Sequence, residues 1–445
     1  MSRNIQAEQL LAPNTPYAES GVPVLTDLPT PLTSARSAAM IFILITLCID
    51  IISFGVIIPV MPRLVTDFAG GDSAHGARVF GLFTTVWALM QFFSSPILGA
   101  LSDRFGRRPV ILLSCAGIGL DFILMAMAPN LAWLFVGRVI SGITASNFST
   151  ANAYISDVTP PEKRAAAFGM VGVAFGVGFV IGPAIGGLLG AIDPRLPFWA
   201  AAALALSNAA YGYFVLPESL SLEHRSAFSW SKANPLGALK LLRSHAELMS
   251  IAIINFLSQL SQLVYPTVIV LYMGYRYGWD TRAIGMTLAL VGVCSAIVQG
   301  GLTGPVVKRF GERRVLLFSL LIGIAGYLIF GLSPTGVLFL CGIPVMALAG
   351  FANPAAQSLM TQRVLPSEQG LLQGANAALI GIAGMIGPLL FSLTYAYFID
   401  PRNVIHAPGA PFLLAAMLMT VATLIAWRAV LAKSRAGASK GPLNE

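Results

Sequence analysis

Long stretches of this chain carry no charged side chain. Single stretches run from Arg36 to Arg63 (broken only by Asp50), Arg78 to Asp103, Arg164 to Asp193, and Arg195 to Glu218. Others run from Glu247 to Arg276, Arg282 to Lys308, Glu368 to Asp400, and His406 to Arg428. Two more are double length. Arg108 to Asp157 holds only Asp121 and Arg138 and turns at Pro129 and Asn130, while Arg314 to Arg363 is uncharged between its ends and turns around Ser333 and Gly336. A helix needs roughly 20 apolar residues to cross about 30 Å of hydrocarbon. Eight single runs and two double ones therefore predict twelve membrane-spanning helices, an all-α integral membrane fold.

Composition points the same way. Of 445 residues, 56% are hydrophobic and 10% charged, against about 25% charged in a typical soluble domain. So few ionised side chains cannot cover a water-soluble surface, which excludes a soluble enzyme, a nucleic-acid binder and a disordered protein. Cys48, Cys115, Cys294 and Cys341 all lie in apolar runs without CxxC spacing, and read as packing residues rather than a disulfide or metal framework. The polar, proline-bearing N-terminal tail lacks the pattern of a secretory signal.

The net charge of +8 is a topology signal. With both termini cytoplasmic, the tails and the loops on that side hold 20 of the 27 basic residues, as the positive-inside rule requires. A multi-pass protein of the inner membrane is expected, in contact with the lipid bilayer and not with nucleic acid.

The sequence also repeats itself. Arg104, Phe105 and Gly106 recur as Arg309, Phe310 and Gly311; Gly182 and Pro183 recur as Gly387 and Pro388; Gly169 recurs as Gly374 and Pro161 as Pro366. Every pair is 205 residues apart. Two parallel six-helix bundles follow, residues 38–216 and 248–431. A linker at 217–247 joins them, and tails at 1–37 and 432–445 flank them. Paired halves of this kind enclose a site near the bilayer midplane and expose it alternately.

These residues carry a family resemblance. Gly99, Asp103, Arg104, Gly106, Arg107 and Arg108 resemble the loop 2–3 signature of the major facilitator superfamily, and Leu134 to Arg138 resembles its fourth-helix motif. Gly176, Gly178, Gly182, Pro183, Gly186 and Gly187 resemble the fifth-helix motif of proton-driven exporters. The segments Gly142–Thr144, Ala153–Asp157, Gly304–Pro305 with Gly311–Arg314, and Gly387–Leu390 are most similar to tetracycline-resistance-type drug:proton antiporters. The resemblance implies that Asp103 locks the outward-facing state by pairing with the opposite half near the start of the eleventh helix, where a carboxylate meets a positive helix end. A plain positive-inside anchor is the other reading. Lys308 replaces the aspartate in the second copy.

Two departures bear on cargo. Tetracycline exporters typically carry an aspartate in the ninth helix, ahead of a Gly-Tyr pair. That place holds Gly323, and Ser295 replaces a histidine of their eighth helix.

Asp50, Asp121 and Arg138 are the ionisable residues well inside predicted spans. Each costs at least about 2.5–3.5 kcal/mol at mid-bilayer, so each needs a partner or a purpose. At 1.5 Å per residue, Asp50 and Asp121 fall roughly 18 Å, and Arg138 about 20 Å, from the cytoplasmic boundary. All three are expected near one level. The 205 offset maps them to Asn255, Gly326 and Ile343, so the ionisable set belongs to the first half. Burial and a neighbouring arginine act on a carboxyl in opposite senses. An aspartate beside Arg138 in a gated cavity is therefore a proton site, or else a permanent pair that holds helices in register.

The fifth-helix glycines recur at mostly four-residue spacing, which lets helices approach closely, either for rocking or for static packing. Polar candidates for a substrate cavity are Trp87, Gln91, Asn147 and Asn152 in the first half. The second half offers Asn255, Gln259, Gln262, Tyr265, Gln299, Gln357, Gln373 and Asn376. No P-loop, metal-spaced cluster or nucleophile triad is present in the sequence. The expectation is a proton-coupled exporter of a small amphipathic compound, working as a monomer, without cofactor or metal. A metabolite facilitator or symporter and a non-transporting receptor are the alternatives.

Overall fold

The computed structural model describes residues 31–145, 147–160, 163–226, 237–244, 246–365 and 368–438. Among these, twelve helices are long and apolar enough to cross a membrane. They are α1 (Ala39–Phe68), α2 (Ser73–Phe105), α3 (Arg107–Ala126), α4 (Leu131–Val158), α5 (Ala166–Ile192) and α6 (Leu196–Val215) in the first half. The second half contributes α7 (Leu248–Tyr277), α8 (Thr281–Phe310), α9 (Glu312–Leu332), α10 (Gly336–Thr361), α11 (Gln369–Ile399) and α12 (Ala410–Arg428). Each coincides with an uncharged run. The terminal helices overrun the expected bundle edges, starting at Pro31 and ending at Ala438. Proline is tolerated in a first helical turn, and 432–438 contains no proline to stop the last helix. Residues 227–236 of the linker and the repeat landmarks Pro161 and Pro366 lie outside the described residues.

Large apolar side chains cover the outside: Leu113, Ile192, Phe214 and Val337 are each mostly exposed, as lipid-facing positions are. Inside, the first half has two cores, one around Val56, Phe122 and Phe198 and one around Ile43, Ile111 and Tyr154. The second half has one large core in which Phe330 lies 4.5 Å from Phe339 and Tyr272 lies 5.0 Å from Phe412, centroid to centroid. Such ring pairs add about 0.5–1.5 kcal/mol beyond burial.

The repeat extends to the helix breaks. The α1 helix is interrupted at 58–60 and α7 at Leu263; α4 turns at Ala145 and α10 at Gly350. Pro96 inside α2 corresponds to Gly301 in a π-helical turn, Ile297–Leu302, of α8. Each pair keeps the 205 offset. Pro59 lies in the α1 break, and Pro96, Pro183, Pro344 and Pro388 lie inside helices, where proline removes one backbone hydrogen bond.

The halves touch through α5 against α8 and α2 against α11. At Gly187 the backbones approach so closely that an added Cβ would stand 2.8 Å from the Gly285 Cα and 2.9 Å from the Thr281 carbonyl oxygen. Ala74 and Ala77 of α2 sit within the core of the second half. Toward the other end the helices part: around Gly169 and Gly172 of α5, Gly300 and Gly304 of α8, Gly99 of α2 and Gly370 of α11, an added Cβ meets nothing within 4 Å. The molecule is therefore closed at the end bearing loops 1–2, 5–6, 7–8 and 11–12. It is open at the end bearing loop 2–3 and the linker.

Candidate transport site

Asp121 on α3 and Arg138 on α4 face each other inside the first half. Their side chains are 0% and 9% exposed, and the Arg138 Nη2 lies 3.9 Å from the Asp121 Oδ2. That is ion-pair range without a close hydrogen bond. Asp121 makes no close hydrogen bond of good geometry, with Ser141 its polar neighbour besides Arg138, and Arg138 directs Nη2 at the Met125 sulfur, 3.2 Å away. Gly137 makes room for the carboxylate, since a Cβ there would stand 2.9 Å from the Asp121 Oδ1. A fully satisfied structural pair has short, bidentate contacts; this one is held loosely. In the second half the equivalent positions are apolar: Ile343 is buried, and the Met346 sulfur would stand 2.8 Å from a Cβ at Gly326.

Asp50 belongs to a different cluster. It is 8% exposed and packs between α1, α3 and α6. Asn208 donates through Nδ2 to the Asp50 Oδ1 at 2.8 Å and to the Thr46 carbonyl at 2.9 Å, and the Cys115 thiol is 3.7 Å from both carboxylate oxygens. Cys115 precedes Asp121 by six residues on α3, so Asp50 lies about 9 Å nearer the open end. This corrects the expectation of a single level. The apolar run of α1 starts farther out than that of α3, and counting from the nearest charge hides the stagger. Asn208 was not singled out from sequence; a lone asparagine in an apolar helix is its signal.

Loop 2–3 forms a charge relay within the first half. Arg107 pairs with Asp103 at 2.5 Å and, through Nε, with Asp157 at 3.2 Å, and donates to the Ser102 hydroxyl at 2.7 Å. Asp103 is therefore engaged by its own half here, because the end where it would cross to the other half is open. Arg104 lies over the Phe105 ring, and Arg108 donates to the Tyr213 carbonyl. Glu218, at the start of the linker, accepts from the backbone N–H of Arg107 at 2.9 Å and of Arg108 at 3.3 Å, capping α3. Gly106 turns the chain with φ +106°, and a Cβ there would collide with the Glu218 carboxylate. Gly106→Ala should thus lower the melting temperature by several degrees, on about 1–3 kcal/mol of backbone strain, and detach the linker; thermal unfolding in detergent measures it. In the second copy Glu312 replaces Arg107 and Gln362 replaces Asp157, joined by a 3.1 Å hydrogen bond. The relay is retained there with a neutral partner.

On α5, Gly178, Gly182 and Gly186 receive α1: Cβ atoms there would collide with Ile51, Gly55 and Val56, while Gly187 receives α8. Pro183 sits between, its carbonyl 2.5 Å from where a Gly285 Cβ would stand. The motif thus packs α5 on both sides at once.

Among the cavity candidates, Trp87 stacks on Phe54 with centroids 5.8 Å apart, and its Nε1 is buried without a partner. Gln91 is half-buried nearby on α2. Gln259 accepts from Asn353 at 2.9 Å, and Asn376 donates to Gln357. Asn255 is buried, whereas Gln299 and Gln373 are exposed. The side chain of Asn147 lies outside the described residues. Gly323 packs against Met419, 2.6 Å from an added Cβ.

The sequence description of the Major Facilitator Superfamily matches residues 43–303 and 251–444. The chain belongs to the major facilitator superfamily. Tetracycline resistance protein class C of Escherichia coli is 37% identical over 358 residues, 80% of this chain and 90% of that protein. The class H protein of Pasteurella multocida is 34% identical over 394 residues, 87% and 96% of the two chains. Among solved structures, the nucleoside transporter NupG superposes with TM-score 0.72 at 14% identity, covering 88% of this chain and 99% of that one. An inward-facing, occupied bacterial homologue of the human lysosomal transporter Spinster gives 0.71 at 16%, covering 89% and 97%. This superfamily member is a membrane transporter and not an enzyme.

Proposed function

We propose that the protein exports a small amphipathic, drug-like compound in exchange for protons, by alternating access of two rocking bundles in a bacterial inner membrane. The supporting relatives are named for tetracycline resistance, and one at 27% identity, from Bacillus subtilis (strain 168), for multidrug resistance. The observation that carries proton coupling is the Asp121–Arg138 pair: buried, 3.9 Å apart and restricted to one half. A carboxylate so loosely held exchanges a proton when water reaches it. Positive charge concentrated at the open end supports a cytoplasmic position for that end; on this reading the described conformation is inward-open, ready to load cargo.

Cargo is recognised through neutral groups, the Trp87 indole N–H and the Gln259–Asn353 and Gln357–Asn376 amides, within a largely apolar cavity. Gly323 carries no carboxylate where tetracycline exporters carry an aspartate, and the Met419 methyl fills the space beside it, which supports a different way of holding the compound here. Everted membrane vesicles provide the test. Drug accumulation driven by an imposed pH gradient, and abolished by an uncoupler, is the expected result. Uncoupler-insensitive equilibration, or uptake in the same direction as protons, would replace export by facilitation or symport.

A further inference from the structure

The closed end carries a polar junction that the transport site does not use. Asp400, just past α11, is 5% exposed at its side chain yet lies where the two halves meet. From its own half Arg402 donates three times, through Nη2 to Oδ2 at 2.7 Å, Nε to Oδ1 at 2.9 Å and the backbone N–H to Oδ1 at 3.1 Å. From the other half Arg78 donates Nη2 to the same Oδ2 at 3.2 Å. Arg63 reaches across as well, its Nη1 3.1 Å from the Thr281 hydroxyl.

Both arginines compete for one oxygen. Parting the halves breaks only the longer contact. Arg78 is 42% exposed, so water takes its place cheaply. Asp400 keeps Arg402 and is never left as a buried, uncompensated charge, the outcome that makes breaking a buried pair costly. Without Arg402 the same carboxylate would depend on Arg78 alone.

We propose that Arg78–Asp400 is the latch holding this end shut, and that Arg402 sets its strength by sharing the carboxylate, so that removing Arg78 or Asp400 shifts the open–closed balance toward opening of this end and removing Arg402 shifts it the other way. The Arg402 side chain and backbone N–H hold Asp400 well below the usual carboxylate range, with Arg78 adding to this and Asp72 standing near Arg402. Asp400 therefore stays charged in mildly acid medium.

The proposal rests on alternating access, and hydrogen–deuterium exchange of the full-length protein in lipid nanodiscs separates the two. Asp400→Asn and Arg78→Gln should raise exchange at 69–84 and 392–409 by at least about threefold and lower it at 164–175 and 303–310, as a population shift of that size requires. Arg402→Gln should do the reverse. Gly187→Leu, which obstructs closure sterically, serves as the reference. If Gly187→Leu responds while Asp400→Asn and Arg402→Gln move together or not at all, the latch is wrong. If Gly187→Leu is silent too, alternating access falls and takes the latch with it.

Discussion

Membranes carrying Asp121→Asn should lose pH-gradient-driven accumulation by about 100-fold, equivalent to about 2.7 kcal/mol, while exchange of labelled for unlabelled drug persists within about threefold. Net transport needs the proton to board and leave; exchange needs only the cavity and the rocking of the halves. The asparagine keeps the shape of the aspartate but leaves the Arg138 charge buried without a counter-ion, a loss of about 3–5 kcal/mol in stability. Asp121→Asn/Arg138→Gln should recover that stability without recovering coupling, and thermal unfolding of both variants separates the two effects. Asp50→Asn should also impair the driven flux. Undiminished accumulation in both single variants would leave the proton without a site in this half.

Gly187→Leu is expected to stop turnover almost entirely, at least about 50-fold below the parent protein, without preventing folding. The closed end seals where Gly187 and Gly285 bring their backbones together, with the Pro183 carbonyl lodged 2.5 Å from where a Gly285 Cβ would stand. Leucine there forces α5 off α8 and holds this end ajar. Gly172→Leu makes the informative comparison, since an added Cβ there meets nothing within 4 Å at the open end. On the proposed function it should load drug normally yet fail to close that end. Drug binding to purified protein, measured beside transport in vesicles, distinguishes them: binding from the cytoplasmic side weakens in Gly187→Leu and is retained in Gly172→Leu. Normal turnover in Gly187→Leu would mean that the α5–α8 contact is static.

What the sequence made legible were features that depend on one helix at a time. Uncharged runs marked all twelve spans, and the constant offset of Gly182-Pro183 and Gly387-Pro388 marked the two halves. The cost of burying charge singled out Asp121 and Arg138, which the fold brings together from α3 and α4. What stayed hidden depends on how helices are staggered or which distant segments meet. Asn208 lies 158 residues from the carboxylate it contacts, and Arg78 lies 322 residues from Asp400. Neither separation has a periodicity to betray it. Asp50 was misplaced in height for a related reason, since apolar length does not report where a tilted helix enters the bilayer. The polar cavity residues were identifiable as types, but their pairing, Gln259 with Asn353 and Gln357 with Asn376, is a property of packing.

The helix breaks recur in register, Ile58 with Leu263 and Ala145 with Gly350, and the in-helix prolines Pro183 and Pro388 keep the same offset. Breaks kept at one offset in both copies fit the duplication of a six-helix unit that already carried them. Because α8 is the counterpart of α2, and α11 of α5, the α5–α8 and α2–α11 contacts are one surface used twice. This is the self-complementary interface of a two-fold dimer. Fusion freed each copy to diverge, and the acidic residues mark where only one of them did.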